Sequence, residues 1–125
     1  MPENRPFEQL YVWQEARLFC RQVYGFTQRG LIANDFAMRN QLRRAAISVP
    51  ANVAEGWERS RPKELLHFLT IAKASCAEVR SHLHLCKDLG YLADEDYRQL
   101  TRAAQKVGGL IGSLWLATKR RTPSP

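Results

Sequence analysis

The sequence predicts an all-α protein, an antiparallel up-down-up-down four-helix bundle in which residues 1–125 form a single domain. Turn signals divide the 125 residues into four long segments, and apolar residues recur in each at helical spacing. No stretch shows the sustained alternation of apolar and polar residues that indicates strands. We expect helices over about 7–29, 35–59, 62–89 and 94–120, and a disordered tail over 122–125. A chain of this length buries one core and is too short for two.

Three of the segments carry an apolar stripe that steps alternately by three and four residues, which is typical of helices facing a bundle core. The stripe of the first segment is Val12, Ala16, Phe19, Val23 and Phe26. That of the third is Leu65, Leu69, Ala72, Cys76, Val79, Leu83 and Cys86. That of the fourth is Tyr97, Leu100, Ala104, Val107, Ile111 and Leu114.

The boundaries between segments follow from residues that end or begin helices. Gly30 with Asp35, the Ser60 to Pro62 stretch, and Gly90 with Asp94 mark the three connections. Each connection has only about 3 to 6 residues, so consecutive helices must be antiparallel neighbours.

Pro50 lies inside the apolar stripe of the second segment, although proline is unfavourable in the interior of a helix. Proline has no amide hydrogen, so the carbonyl of Ala46 loses its helical partner and a kink or break near Ser48 is expected. The stripe itself is Met38, Leu42, Ala45, Val49 and Val53.

A polar row runs beside that stripe at helical spacing: Gln41, Arg44, Ser48, Asn52, Glu55 and Arg59. Glu78, near Ser75 in the third segment, is expected to meet it. The row is either a solvated face, a buried network that fixes a contact between subunits, or a catalytic constellation. Large aromatics off the stripes, Tyr11, Trp13 and Trp57, either cover a subunit interface or cap the core.

Residues 41–56, QLRRAAISVPANVAEG, resemble the signature of a four-helix-bundle family first noticed as proteins encoded in intervening sequences of bacterial large ribosomal RNA genes. The similarity extends to residues 7–14 and 68–72, and to Ser75 and Glu78, whereas the fourth helix matches only in its pattern. This resemblance implies a homopentamer with a central pore. The family also includes accessory proteins of diversity-generating retroelements, which are basic, bind nucleic acid and partner a reverse transcriptase.

Two positions depart from the family pattern. The loop after the first helix is 30–34, GLIAN, where a Phe-Pro-like stop is usual, and Arg80 occupies a position that is commonly acidic. Neither change affects the expected fold. The second adds positive charge of the kind that nucleic-acid binding needs.

The charge balance favours an anionic partner, since nineteen Lys and Arg against twelve Asp and Glu give a net charge of +7 and a pI near 9.8. Residues 97–125 contain six basic residues and no acidic one. Two rows at helical spacing and a terminal cluster are therefore candidates for phosphate contacts: Lys73, Arg80 and Lys87; Arg98, Arg102 and Lys106; and Lys119, Arg120 and Arg121. The competing interpretation is that these are ordinary solvated faces.

Several classes of protein are not expected. The longest apolar run, 107–117, has eleven residues, whereas spanning a bilayer takes roughly 20. No apolar stretch follows the first charges, so we expect no secretory signal and a cytoplasmic location. The three cysteines suit neither a disulfide framework nor a zinc site. Glu78, His82 and Cys86 share a helical row but are too few for a metal centre.

No catalytic or cofactor fingerprint is present, so we expect neither an enzyme nor a bound cofactor. The sequence thus predicts a non-enzymatic, oligomeric, basic bundle that contacts phosphates of RNA or DNA, with a reverse transcriptase as a further partner and no membrane. The alternative is a protein-interaction scaffold of the intervening-sequence type with no direct role on nucleic acid.

Overall fold

The computed structural model describes residues 5–123, which form four α-helices joined by short connections, with no strand among them. The helices are α1 (Tyr11–Thr27), α2 (Phe36–Glu58), α3 (Pro62–Asp88) and α4 (Asp94–Arg120), and short 3-10 turns occupy Phe7–Gln9 and Leu31–Asn34. The prediction of an all-α protein is confirmed. The sequence predicts a disordered tail over 122–125. Within it, the Thr122 hydroxyl donates a hydrogen bond of 2.8 Å to the Thr118 carbonyl. Residues 124–125 lie outside the described residues.

The first helix begins later than the sequence suggested. The Phe7–Gln9 turn follows Pro6, and Leu10 then adopts an extended backbone with φ −75° and ψ 128° before α1 starts at Tyr11. The Leu10 side chain is buried in the core. The segment from 7 to 10 therefore covers the start of the bundle without being part of α1.

The core is one continuous cluster to which all four helices contribute. The predicted stripes supply most of it, and only Phe26, Met38, Tyr97 and Leu114 of those stripes are partly exposed. Four buried hydrophobic residues come from outside the stripes: Ala46 on α2, and Leu10, Ile32 and Leu92 in the connections. These connecting residues close the ends of the core.

The helices pack in sequence order, and α1 also contacts α4, so the four surround the common core. Helix α2 approaches α3 closely at Gly56, where an added Cβ would lie 2.7 Å from the Phe68 Cβ. Further along, the Ser48 and Ser75 hydroxyls meet. Between α3 and α4, the Tyr97 hydroxyl lies 3.1 Å from the His84 Nδ1 near the connection.

Helix α2 runs through Pro50 as one helix from Phe36 to Glu58. The segment thus does not break there, and a bend at Pro50 stays a prediction. Asp35 caps the start of α2 by accepting a hydrogen bond of 3.1 Å from the Met38 amide. No helix in the described range 5–123 is long and apolar enough to cross a membrane.

Gly90 ends α3 as expected, with a positive φ of 74°. The Tyr91 amide donates to the Cys86 carbonyl and the Gly90 amide to the Lys87 carbonyl, which is the pattern of a Schellman motif. This turn directs the Tyr91 hydroxyl to Asp35, to which it donates a hydrogen bond of 2.8 Å. The two connections at this end of the molecule are thereby joined.

Candidate nucleic-acid interface

The nine basic residues proposed for phosphate contact all have exposed side chains. Three lie on α3 (Lys73, Arg80, Lys87), five on α4 (Arg98, Arg102, Lys106, Lys119, Arg120) and one, Arg121, caps α4. These cations therefore lie on two helices that pack against each other. Exposure is the first requirement for contact with a polyanion, and all nine meet it.

The row on α3 faces the seam between α3 and α4. The Lys73 Nζ lies 3.1 Å from the position that a Cβ on Gly112 would occupy. The Lys87 Nζ lies 4.6 Å from the centroid of the Tyr97 ring and 3.7 Å from an Asp94 carboxylate oxygen. Arg80 comes between them at the same helical spacing.

The row on α4 is partly neutralised by carboxylates. Arg98 donates to Glu95 at 2.9 Å, and this bond lowers the pKa of the Glu95 carboxyl. Lys106 crosses to α1, where its Nζ lies 2.7 Å from a Glu15 oxygen. The hydrogen bond to Glu15 raises the pKa of Lys106. Arg102, between the two, forms no ion pair with any residue from 5 to 123.

Six of the nine cations have no carboxylate partner within the described chain: Lys73, Arg80, Arg102, Lys119, Arg120 and Arg121. The other three take part in exposed ion pairs, which contribute only about 0 to 1 kcal/mol each. A phosphate could therefore replace the carboxylate at those positions at little cost. The cluster at the end of α4 also compensates the partial negative charge of a helix C-terminus.

The polar row on α2 divides into a half-buried centre and exposed ends. At the centre, the Asn52 amide donates to the Ser48 carbonyl at 2.7 Å and to the Ser48 hydroxyl at 2.9 Å. The Ser75 hydroxyl of α3 donates to the same Ser48 oxygen at 2.8 Å. Gln41 and Arg44, at one end, are exposed. The centre is thus a hydrogen-bonded link between α2 and α3.

At the other end of the row, Arg59 pairs with Glu55 at 2.8 Å and with Glu64 at 3.4 Å. Glu78 forms its hydrogen bond with His82 on its own helix, at 3.3 Å, whereas Ser75 and Glu64 are the α3 residues seen to contact the row. Arg59 thus joins the end of α2 to Glu64 at the start of α3.

No group of three or more metal-binding side chains occurs within residues 5–123. Cys86 is buried in the core, and burial raises the pKa of its thiol to about 11. The His84 ring lies against Tyr97, with ring centroids 5.4 Å apart. The histidines of α3 thus serve local contacts.

A basic groove between α1 and α2 was not among the predicted sites. It is lined by Trp13, Arg17, Arg21 and Tyr24 of α1 and by Pro50 of α2. The four α1 residues share one face at helical spacing, so the pattern was present in the sequence. From the sequence, Trp13 is expected only at a subunit interface or as a cap of the core, and helical spacing does not show that Pro50 of α2 faces this side of α1.

Comparison with known proteins identifies the family. The sequence profile described as 23S rRNA-intervening sequence protein matches residues 8–113. The chain belongs to this family. A protein of unknown function from the S23 ribosomal protein family of Bacteroides thetaiotaomicron VPI-5482 has a similar crystal structure, with a TM-score of 0.72 at 20% identity. The match covers 83% of this chain and 97% of the other. A comparison with curated proteins found no match. The predicted resemblance to intervening-sequence proteins is confirmed.

Proposed function

We propose that this intervening-sequence protein is a non-enzymatic nucleic-acid-binding bundle whose α3 and α4 surface contacts phosphates without reading bases. The observation that carries the proposal is the set of six exposed cations on this surface that have no carboxylate partner within residues 5–123. Unpaired cations attract a polyanion through release of its counterions, which is independent of sequence. The net charge of +7 acts in the same direction at longer range.

The chemistry of the surface favours phosphate contact over base recognition. Tyr97 lies beside the α3 row, and the Lys87 ammonium and the His84 ring already lie against it. Stacking of bases needs free aromatic faces. RNA and DNA of many sequences are therefore proposed ligands, with no strong preference among them.

The proposal includes an assembly and a partner that follow from family resemblance. The helices would run up-down-up-down, which agrees with the contacts of Ser48 with Ser75 and of Gly56 with Phe68. Five copies would form a ring in the cytoplasm that serves a reverse transcriptase as an accessory factor. A ring multiplies the phosphate contacts, so weak individual contacts add up to tight binding.

Binding is tested by fluorescence anisotropy with a labelled DNA duplex and a labelled RNA hairpin, titrated at several salt concentrations. The unmodified chain should bind both, with affinity falling steeply as salt rises. The double variant Arg80→Glu with Arg102→Glu should bind weakly and show a flatter salt dependence. Its matched control, Arg17→Glu with Arg21→Glu, changes the net charge equally but leaves the α3 and α4 surface intact.

Two results contradict the proposal. One is the absence of binding at low salt. The other is an equal loss in both double variants, which would mean that net charge alone, and not this surface, attracts the nucleic acid.

The second candidate function is a protein-interaction scaffold with no direct role on nucleic acid. The observation in its favour is that Lys87, Arg98 and Lys106 already have carboxylate partners. Under this alternative, the basic surface binds an acidic protein, and the oligonucleotides do not bind at any salt concentration.

A further inference from the structure

The groove between α1 and α2 has an apolar floor and a basic rim. Its volume is about 460 Å³. The floor is formed by Trp13, Cys20 and Tyr24 of α1 and the ring of Pro50 on α2. Arg17 and Arg21 are exposed one helical turn apart along the same face. No carboxylate from residues 5–123 lines the groove, so these residues do not neutralise its charge.

Arginine side chains lie over the aromatic rings of the groove. The Arg17 guanidinium lies 5.7 Å from the centroid of Trp13, whose ring also packs edge-to-face with Phe7 at a centroid distance of 5.0 Å. From α2, the Arg43 guanidinium lies 4.5 Å from the centroid of Tyr24 and donates to the Thr27 hydroxyl at 2.8 Å. The ring faces beneath the guanidinium groups are thereby unavailable for stacking with nucleic-acid bases, whereas the parts of Trp13 and Tyr24 that line the groove remain open to an apolar partner.

We infer that this groove binds an acidic amphipathic helix of another protein. The apolar face of the bound helix would lie on Trp13, Tyr24 and Pro50. Carboxylates one turn apart on the same bound helix would pair with the Arg17 and Arg21 guanidinium groups. Arginine presents a planar fork of donors that matches a carboxylate. An amphipathic helix in an apolar groove is a recurring mode of peptide recognition.

Length and charge both support this ligand. The groove extends along α1 from Trp13 to Gln28, which is about 22 Å at the rise of an α-helix and corresponds to about four turns. A second copy of the chain fits less well by charge, because each copy carries nineteen basic and twelve acidic residues. An acidic partner supplies the missing charge without burying like charges together. This inference concerns a different surface from the proposed nucleic-acid interface, and either could hold without the other.

The test is a selection of displayed random 16-residue peptides on the full chain, followed by anisotropy titration of the enriched peptides. We expect enriched peptides with net negative charge and apolar residues at steps of three and four. Their affinity should fall about tenfold or more in Arg17→Glu with Arg21→Glu, because two ion pairs become repulsions. The matched control, Arg80→Glu with Arg102→Glu, should change affinity less than about twofold.

Alkylation of Cys20 is a second measurement, and it tests directly whether a peptide occupies the floor of the groove. Cys20 is half-buried in the groove, and burial raises the pKa of its thiol, so alkylation of the native protein should be slow but measurable. A bound peptide should slow alkylation of Cys20 further in the unmodified chain. It should not do so in Arg17→Glu with Arg21→Glu, whose fold is checked by circular dichroism.

Several outcomes would overturn the inference. They are a selection that enriches no acidic amphipathic peptide, an unchanged affinity in the groove variant, and unaltered alkylation of Cys20 with peptide bound. A fall in oligomer mass for the groove variant would assign the groove to a second copy of the chain. Loss of oligonucleotide binding confined to the groove variant would assign it to nucleic acid.

Discussion

The Ser48 hydroxyl of α2 accepts a hydrogen bond of 2.8 Å from the Ser75 hydroxyl of α3. It accepts a second, of 2.9 Å, from the Asn52 amide. Ser75 is buried and Ser48 half-buried, so this contact lies within the seam that joins the two helices. A polar pair in such a seam fixes the register of the helices, since sliding either helix by one turn would leave a hydroxyl without a partner.

Replacing Ser75 should lower stability. We expect Ser75→Ala to reduce the free energy of unfolding by about 1 kcal/mol, because the Ser48 oxygen loses its donor from α3. Ser81→Ala is the matched control on the same helix, since Ser81 is exposed, and its effect should stay within about 0.5 kcal/mol. Urea unfolding followed by circular dichroism measures both. Equal stability of the two variants would show that the hydroxyl pair contributes nothing.

Gly56 should tolerate no larger residue. A Cβ at this position would lie 2.7 Å from the Phe68 Cβ and 3.1 Å from a Leu65 methyl group, so Gly56→Ala should destabilise the protein by about 1 to 3 kcal/mol. Gly109→Ala is the control, because a Cβ there meets no atom within 4 Å. It should raise stability by about 0.5 to 1 kcal/mol through helix propensity. Thermal melting of both variants would contradict the argument if Gly56→Ala melted at or above the temperature of the unmodified chain.

The four helices could be predicted from the sequence, because a helix that buries one face repeats apolar residues at steps of three and four. The residues of the α3 stripe, from Leu65 to Cys86, are all buried, and the spacing of three and four alone identifies them. The start of α1 could not be found in this way. Leu10 lies two residues before Val12, out of phase with the α1 stripe, and it reaches the core through the extended backbone that follows the turn at Phe7–Gln9.

The candidate site was only partly predictable, because ion pairs join residues far apart in the chain. Helical spacing identified Lys106 as part of a basic row, but its partner Glu15 lies on another helix. Pairing of this kind depends on tertiary packing. Short-range pairs differ: Glu95 and Arg98 are three residues apart, and their spacing on a helix predicts the contact.

Asn52 provides a test of the proposed assembly. If the half-buried part of the polar row fixes a contact between subunits, Asn52→Leu should disturb assembly more than Arg98→Ala does, because Arg98 is exposed and pairs within its own helix. Sedimentation velocity compares the two variants with the unmodified chain. Identical sedimentation of the two variants would exclude a role for Asn52 in assembly.

The contact of Asp35 with Tyr91 predicts a loss of stability in acid. The Met38 amide, and then the Tyr91 hydroxyl, donate to the Asp35 carboxylate and hold its pKa below the ordinary value of 3.8. A lowered pKa in the folded state means that the stabilisation is complete above the ordinary value and is lost as the pH falls through the lowered one. Asp35→Asn removes this titration while keeping an oxygen that can cap α2.

Urea midpoints measured from neutral pH down to about pH 3 check this expectation. The stability advantage of the unmodified chain over Asp35→Asn should shrink below about pH 4. Tyr91→Phe should show a smaller acid-dependent loss than the unmodified chain, since one of the two donors is gone. A difference between the unmodified chain and Asp35→Asn that does not vary with pH would contradict the assigned role of the carboxylate.

Arg98 and Arg102 lie one turn apart on α4 but should contribute unequally to phosphate binding. Glu95 holds Arg98 at 2.9 Å, whereas Arg102 has no carboxylate partner within residues 5–123. Arg102→Ala should therefore weaken oligonucleotide binding more than Arg98→Ala, and should reduce the slope of log affinity against log salt by about 1. Glu95→Gln removes the competing carboxylate and should strengthen binding. If Arg98→Ala and Arg102→Ala had equal effects, competition from Glu95 would be excluded, and an unchanged salt slope in Arg102→Ala would remove this residue from the interface.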